Sequence, residues 1–65
     1  MRYEFRVTGR LSPAVAESFP ELEPVPAGEE TVLTGSVTDE AHLYGLLNRF
    51  QDLGLQLLEL RRLHG

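Results

Sequence analysis

Apolar and polar residues alternate cleanly at the start of the chain. Over residues 2–11, Tyr3, Phe5, Val7, Gly9 and Leu11 fall on one side, and Arg2, Glu4, Arg6, Thr8 and Arg10 on the other. A period of two with aromatic and β-branched residues predicts a strand with one buried face. Ser12-Pro13 then reads as a helix start, with serine as the cap and proline at the first helical position. The spacing predicts a helix over residues 14–19, about two turns long, with Val15 and Phe19 turned inward. Pro20 ends it, because a residue before proline avoids the helical region. Residues 22–25 form a short second strand. Pro24 and Pro26 remove ladder donors, so this strand belongs at a sheet edge. After a turn at Ala27-Gly28-Glu29-Glu30, residues 31–37 alternate again, with Leu33, Gly35 and Val37 on one face and Val32, Thr34 and Ser36 on the other. A glycine inside a strand marks close approach by another part of the chain, so Gly35 is expected to lie under such a contact.

Thr38 or Asp39 caps the next helix, and Asp39 and Glu40 suit the positive end of its dipole. Leu43, Leu46, Leu47, Phe50 and Leu53 make an apolar stripe at helical spacing. Gly54 stands where a helix-ending glycine belongs, and Leu55 can pack back on the last turn. Residues 56–63 make the last strand. The order β-α-β-β-α-β with right-handed crossovers closes most simply as a four-stranded antiparallel sheet in the order 4-1-3-2, with both helices on one face. This is an α+β, ferredoxin-like single domain over residues 1–65.

Composition narrows the function. Apolar residues make up 42% and charged residues 25%, which is globular rather than disordered. There is no cysteine, so disulfides, thiolate metal sites and a cysteine nucleophile are excluded. No apolar run approaches the ~18 residues of a membrane span, and the charged start Met1-Arg2-Tyr3-Glu4 does not read as a secretory leader. The expectation is a cytoplasmic protein with no membrane contact. A 65-residue core sits near the margin of stability. With no disulfide and no metal site, self-association is the remaining staple, so a homo-dimer or higher oligomer is expected.

All six basic residues are arginines, so lysine chemistry is excluded. Arg2, Arg6 and Arg10 share the outward face of the first strand. If Leu58 and Leu60 of the last strand face the helices, then Leu57, Glu59, Arg61 and Leu63 join that open face. The acidic residues Glu17, Glu21, Glu23, Glu29 and Glu30 gather in the first helix, the second strand and its turn, which would make the molecule dipolar. Two readings stay open. The face is an arginine-rich platform for a second copy or a larger protein partner, or it is a solvated face of cross-strand Arg–Glu pairs worth ~0.2–1 kcal/mol each. On the first reading Arg6, Arg10, Leu57, Arg61 and Leu63 form the interface, through the face or the edge of the last strand. Nucleic acid is not an expected partner, because Tyr3 and Phe5 point inward and the net charge is −4.

Leu33-Thr34-Gly35-Ser36-Val37-Thr38-Asp39-Glu40-Ala41-His42-Leu43, continuing through Leu46-Leu47-Asn48-Arg49-Phe50-Gln51-Asp52-Leu53-Gly54-Leu55, resembles short bacterial proteins that carry the pattern LxGxVxDxAxLxxLLxRΦxxLGL, with Φ apolar. That resemblance implies no particular activity. At the level of fold the chain is also similar to ACT-like regulatory modules, which bind amino acids at an Asp-x-Pro-Gly-type turn after the first strand. The turn here keeps a glycine and a proline, Gly9 and Pro13, in a different order. The resemblance implies a small-ligand site for an anion or amino acid at Gly9, Arg10 and Ser12.

A third possibility is a cofactor-free oxygenase or isomerase. His42 would be its general base and Arg49 would steer an anionic substrate. No catalytic set, metal site or cofactor motif stands out: neither His42 nor His64 has a second ligand at metal spacing, and there is no P-loop or G-x-G-x-x-G. Ala41, Gly45, Asn48 and Asp52 line the outer face of the second helix. Gly45 there either permits close approach of a second subunit or relieves crowding within the domain.

Overall fold

The computed structural model describes residues 1–64. Its elements are β1 (Arg2–Thr8), α1 (Pro13–Ala16), β2 (Leu22–Ala27), β3 (Glu30–Ser36), α2 (Glu40–Asp52) and β4 (Leu57–Leu63). The sheet is antiparallel in the order β2-β3-β1-β4, so the ferredoxin-like arrangement is the one the sequence predicts. The strand with the prolines lies at an edge, where half of the amides face no neighbour and a missing donor costs little.

The side chains that alternate inward build one core. Phe5 and Val7 of β1, Leu33 of β3, Leu22 of β2, and Leu46 and Phe50 of α2 are buried together with Phe19 and Val37. Phe50 stacks on Phe19 with ring centroids 4.6 Å apart and tilts against Phe5 at 5.2 Å. Val15 of α1 packs against the same cluster, so both helices cover one face.

Local chemistry sets the ends of the elements. Asp39 caps α2, its Oδ1 accepting from the His42 amide at 2.9 Å. At the other end Gly54 adopts φ +72°, Leu55 N–H donates to Phe50 O, and Gly54 N–H donates to Gln51 O. Those two bonds are the Schellman pair that satisfies the last carbonyls of a helix. The β2–β3 hairpin turns at Gly28-Glu29, with the positive φ at Gly28 alone, the pattern of a type II′ turn.

Four expectations need correction. β1 stops at Thr8, because Gly9 turns to φ +80° and takes residues 9–11 out of the sheet. The first helix is a single turn, since Ser18 and Phe19 donate to carbonyls three residues back and Pro20 blocks continuation. β2 runs on to Ala27, with both prolines at its edge positions. β4 begins at Leu57 and carries a bulge, described below.

Gly35 meets its expectation. A Cβ built there would fall inside the envelope of the Glu21 carbonyl oxygen and 2.8 Å from Leu22 Cδ2. The chain entering β2 therefore crosses directly over β3 at this residue.

Candidate functional site

The open face of the sheet is paired rather than arginine-rich. Arg6, at its centre, places Nη1 3.2 Å from Glu30 Oε1 and Nε 3.8 Å from Glu59 Oε1. The second contact is too long for a hydrogen bond, and Arg6 Nε is buried without a hydrogen-bond partner. Arg61 Nη1 lies 3.8 Å from Glu4 Oε2. The register sets Glu4 between Thr34 and Arg61, and Glu23 opposite Thr34. Glu4, Glu23, Glu30 and Glu59 thus share the face with Arg2, Arg6 and Arg61, and the expected division into basic and acidic poles is not built. Arg10 has left this face. Beyond the end of β1, its Nε donates to Gly28 O at 3.2 Å.

The bulge corrects the assignment of β4. Arg6 pairs with Glu59, but Val7 pairs with Leu57, so the strand gains a residue between Arg6 and Val7. An extra residue shifts the alternation by one. Leu57 therefore turns to the helix side and packs against the core, rather than standing on the open face. Leu58 takes its place, lining a shallow depression with Arg6, Glu30, Glu59 and Arg61. Leu63 remains on the open face, opposite Arg2. Leu60 lies opposite buried Phe5, on the helix side, yet it remains exposed. Leu58 and Leu60 are 44% and 38% exposed. On that side a groove of ≈ 480 Å³ opens beside β4, lined by Leu47, Phe50, Leu55 and Leu57 among others. Among the described residues no strand pairs with the outer edge of β4.

At the opposite edge, the residues of the expected ligand site have partners within the chain. Gly9 O accepts from the Thr31 hydroxyl at 2.8 Å, and Ser12 Oγ accepts from Val15 N–H at 3.3 Å. Arg10 reaches the rim of a cleft of ≈ 220 Å³, lined also by Leu11, Ala16, Pro24, Pro26 and Thr31. Neither Gly9 nor Ser12 lines that cleft.

A third cluster joins the chain entering β2 to α2. Glu21 Oε2 lies 3.2 Å from His42 Nε2, and Glu21 Oε1 accepts from Arg49 Nη1 at 3.2 Å. Arg49 also donates to Ser18 O, and its guanidinium lies 6.0 Å from the centre of the Phe19 ring. Partial burial pushes the Glu21 carboxyl up. Its own backbone amide, the His42 hydrogen bond and the Arg49 charge outweigh that and hold it below the ordinary value of 4.5. His42 Nδ1 accepts from Thr38 N–H at 3.0 Å, which places the imidazole proton on Nε2, facing Glu21. Both ring nitrogens therefore have partners within the chain, one at the start of α2 and one on Glu21. Glu21 is the residue that sequence reasoning missed. It lies 21 and 28 positions from its partners, and no local spacing joins them. The crossing at Gly35 was the one available signal.

Gly45 is exposed, with nothing within 4 Å of a Cβ placed there. It relieves no crowding within the domain. Among the described residues there is no group of three or more potential metal ligands, and no helix is long and apolar enough to cross a membrane. No curated protein and no solved structure matches the chain. Residues 2–61 do match a family model, and the chain belongs to that family, a domain of unknown function (DUF8691).

Proposed function

We propose that this domain is a non-catalytic interaction module that works by associating with a second copy of itself. The observation that supports this reading is the outer edge of β4. It presents seven residues without a proline, carries exposed leucines on both faces, and has no partner strand among the described residues. An edge of this kind is a template for another strand, and single-chain domains ordinarily blunt it. The other edge is blunted, by Pro24 and Pro26. Arg61 and Leu63 lie on the open face of the free strand, Arg6 lies one strand further in, and Leu57 lines the groove on the helix side. Arg10 lies away from it.

Absolute mass in solution tests the proposal, by light scattering after size exclusion across a range of protein concentrations. A concentration-dependent dimer is expected. A clean monomer up to high micromolar concentration overturns the reading and turns attention to a larger protein partner for the same edge.

The cleft beside Arg10 favours a second reading, an ACT-like sensor of an anion or amino acid. Its small apolar walls and single guanidinium suit a ligand with one acidic group and a short side chain. Thermal shift with the twenty amino acids and with inorganic phosphate tests it. No shift at millimolar ligand removes it.

A further inference from the structure

Resting on the self-association reading, we infer that two copies pair antiparallel through β4, with Leu60 opposite Leu60 of the second copy at the two-fold axis. The register follows from which side chains share a face. In an antiparallel pair, directly opposite residues project to the same side. Glu59, Arg61 and Leu63 project to the open face, because they lie opposite Arg6, Glu4 and Arg2. Leu60 and Arg62 project to the helix side, opposite Phe5 and Tyr3. A two-fold register must therefore centre on a residue, not between two.

Three centres keep most of the strand paired. Centring on Glu59 sets two carboxylates face to face, and centring on Arg61 sets two guanidiniums face to face. Like charges directly opposite destabilise a sheet. Centring on Leu60 sets Glu59 opposite Arg61 twice, once on each side of the axis, and leaves the two Leu60 side chains in contact.

The ion pairs within each chain extend this register. Glu59 is 3.8 Å from Arg6, and Arg61 is 3.8 Å from Glu4; both distances are long, and the Glu59 and Arg61 side chains are 49% and 60% exposed, so each has capacity for a second partner. Across the seam, Glu30, Arg6 and Glu59 of one copy run into Arg61 and Glu4 of the other, a row of alternating sign over the combined open face. On the helix side, Leu60 is exposed at the seam, and a groove lined in part by Leu47, Phe50, Leu55 and Leu57 opens on the same side of β4. The bulge at Leu58 ends the regular ladder, so the self-complementary stretch covers residues 59–61 and their immediate neighbours.

Two measurements on the full chain test the register. The protein has no cysteine, so a single introduced thiol reports its own position. At the axis, the two Leu60→Cys thiols sit on Cα atoms ~4.5–5.5 Å apart, inside the range a disulfide spans. Leu58→Cys thiols lie well beyond it. Mild oxidation is expected to convert Leu60→Cys to covalent dimer and to leave Leu58→Cys monomeric. Glu59→Arg and Arg61→Glu, each alone, are expected to weaken dimerisation roughly ten- to thirtyfold, since each creates two like-charge pairs. Mixing the two variants is expected to restore a 1:1 heterodimer, which no effect confined to one chain would produce. A wild-type chain that stays monomeric overturns the self-association reading and this register together. A wild-type dimer that neither the Leu60→Cys crosslink nor the mixed charge variants recognise overturns the register alone. Equal crosslinking at positions 58 and 60 does the same.

Discussion

Two glycine-to-alanine changes in this domain should have opposite signs. At Gly35, the new methyl meets the Glu21 carbonyl oxygen, Leu22 Cδ2 at 2.8 Å and Leu22 Cα at 3.2 Å. Two of those three atoms are backbone, so no rotamer change relieves the contact, and the start of β2 must lift off β3. Overpacking of this kind costs ~1–3 kcal/mol. Gly35 has no positive φ, so alanine recovers ~0.4–1 kcal/mol through the unfolded chain, leaving a net loss of ~1–2 kcal/mol. At Gly45, mid-helix and exposed, nothing lies within 4 Å of the new methyl, and alanine should gain ~0.5–1 kcal/mol. For a domain of this length, 1 kcal/mol moves Tm by ~4–8 °C. Gly35→Ala should therefore melt roughly 5–15 °C lower and Gly45→Ala several degrees higher. Urea unfolding and thermal melts, followed by circular dichroism at one fixed protein concentration, would measure both, with the concentration held because association itself shifts Tm. If Gly35→Ala matches the wild type, the crossing of β2 over β3 is not as tight as described. If Gly45→Ala is destabilised, something covers the outer face of α2.

Phe50→Ala removes the ring that stacks on Phe19 and touches Phe5, at a cost of ~3–5 kcal/mol. That is about half or more of the ~3–10 kcal/mol total expected at this size, so the urea midpoint should fall to about half of the wild-type value or lower. Glu21 is held below its ordinary value of 4.5 in the fold, so its contribution is present at neutral pH and is lost as pH falls through the folded value. The stability gap between the wild type and Glu21→Gln should narrow in acid below that value, and a gap that stays constant from pH 7 to pH 3 would contradict this. Asp39→Ala should cost ~1 kcal/mol in urea unfolding, and more than Ser12→Ala, because Asp39 carries charge at the positive end of a three-turn helix while Ser12 caps a single turn.

Most of this fold was legible because its signals are local. The alternation in β1 and β3, the serine–proline start of α1, the Asp39 cap, the Gly54 stop and the two prolines of β2 each act within a few residues. The Gly35 contact was legible as well, since a glycine amid alternating apolar residues has few other uses. What was not legible depends on pairing at a distance. Leu57-Leu58 offers an apolar side chain to either face, so no sequence pattern distinguishes a straight strand from one with a bulge. The bulge decides which leucine meets the core. Arg10 continues the alternation of β1, yet the positive φ at Gly9 removes it from the sheet. Glu23 and Glu30 look like part of an acidic pole along the chain, and only the β2–β3 hairpin brings them beside the arginines. The Glu21–His42–Arg49 cluster joins an inter-element connector to a helix, and each of its side chains has an ordinary local reading when taken alone.

The two edges of the sheet differ in a way that bears on how far association would run. A strand edge that accepts another strand is a hazard when both edges of a domain are competent, because head-to-tail pairing never closes and gives fibres. Here β2 carries prolines at two of its six positions, and its amides cannot complete a ladder with an incoming β4. In the proposed pairing a second copy approaching β4 would therefore offer its own β4 rather than β2. Pairing of like with like is two-fold by necessity, and it consumes the one competent edge of each partner. On this reasoning the prolines of β2 do more than tolerate an edge position. In the proposed dimer they would restrict self-association to a closed pair, and the charge order Glu59-Leu60-Arg61, which reads the same from either strand of that pair, would select its register.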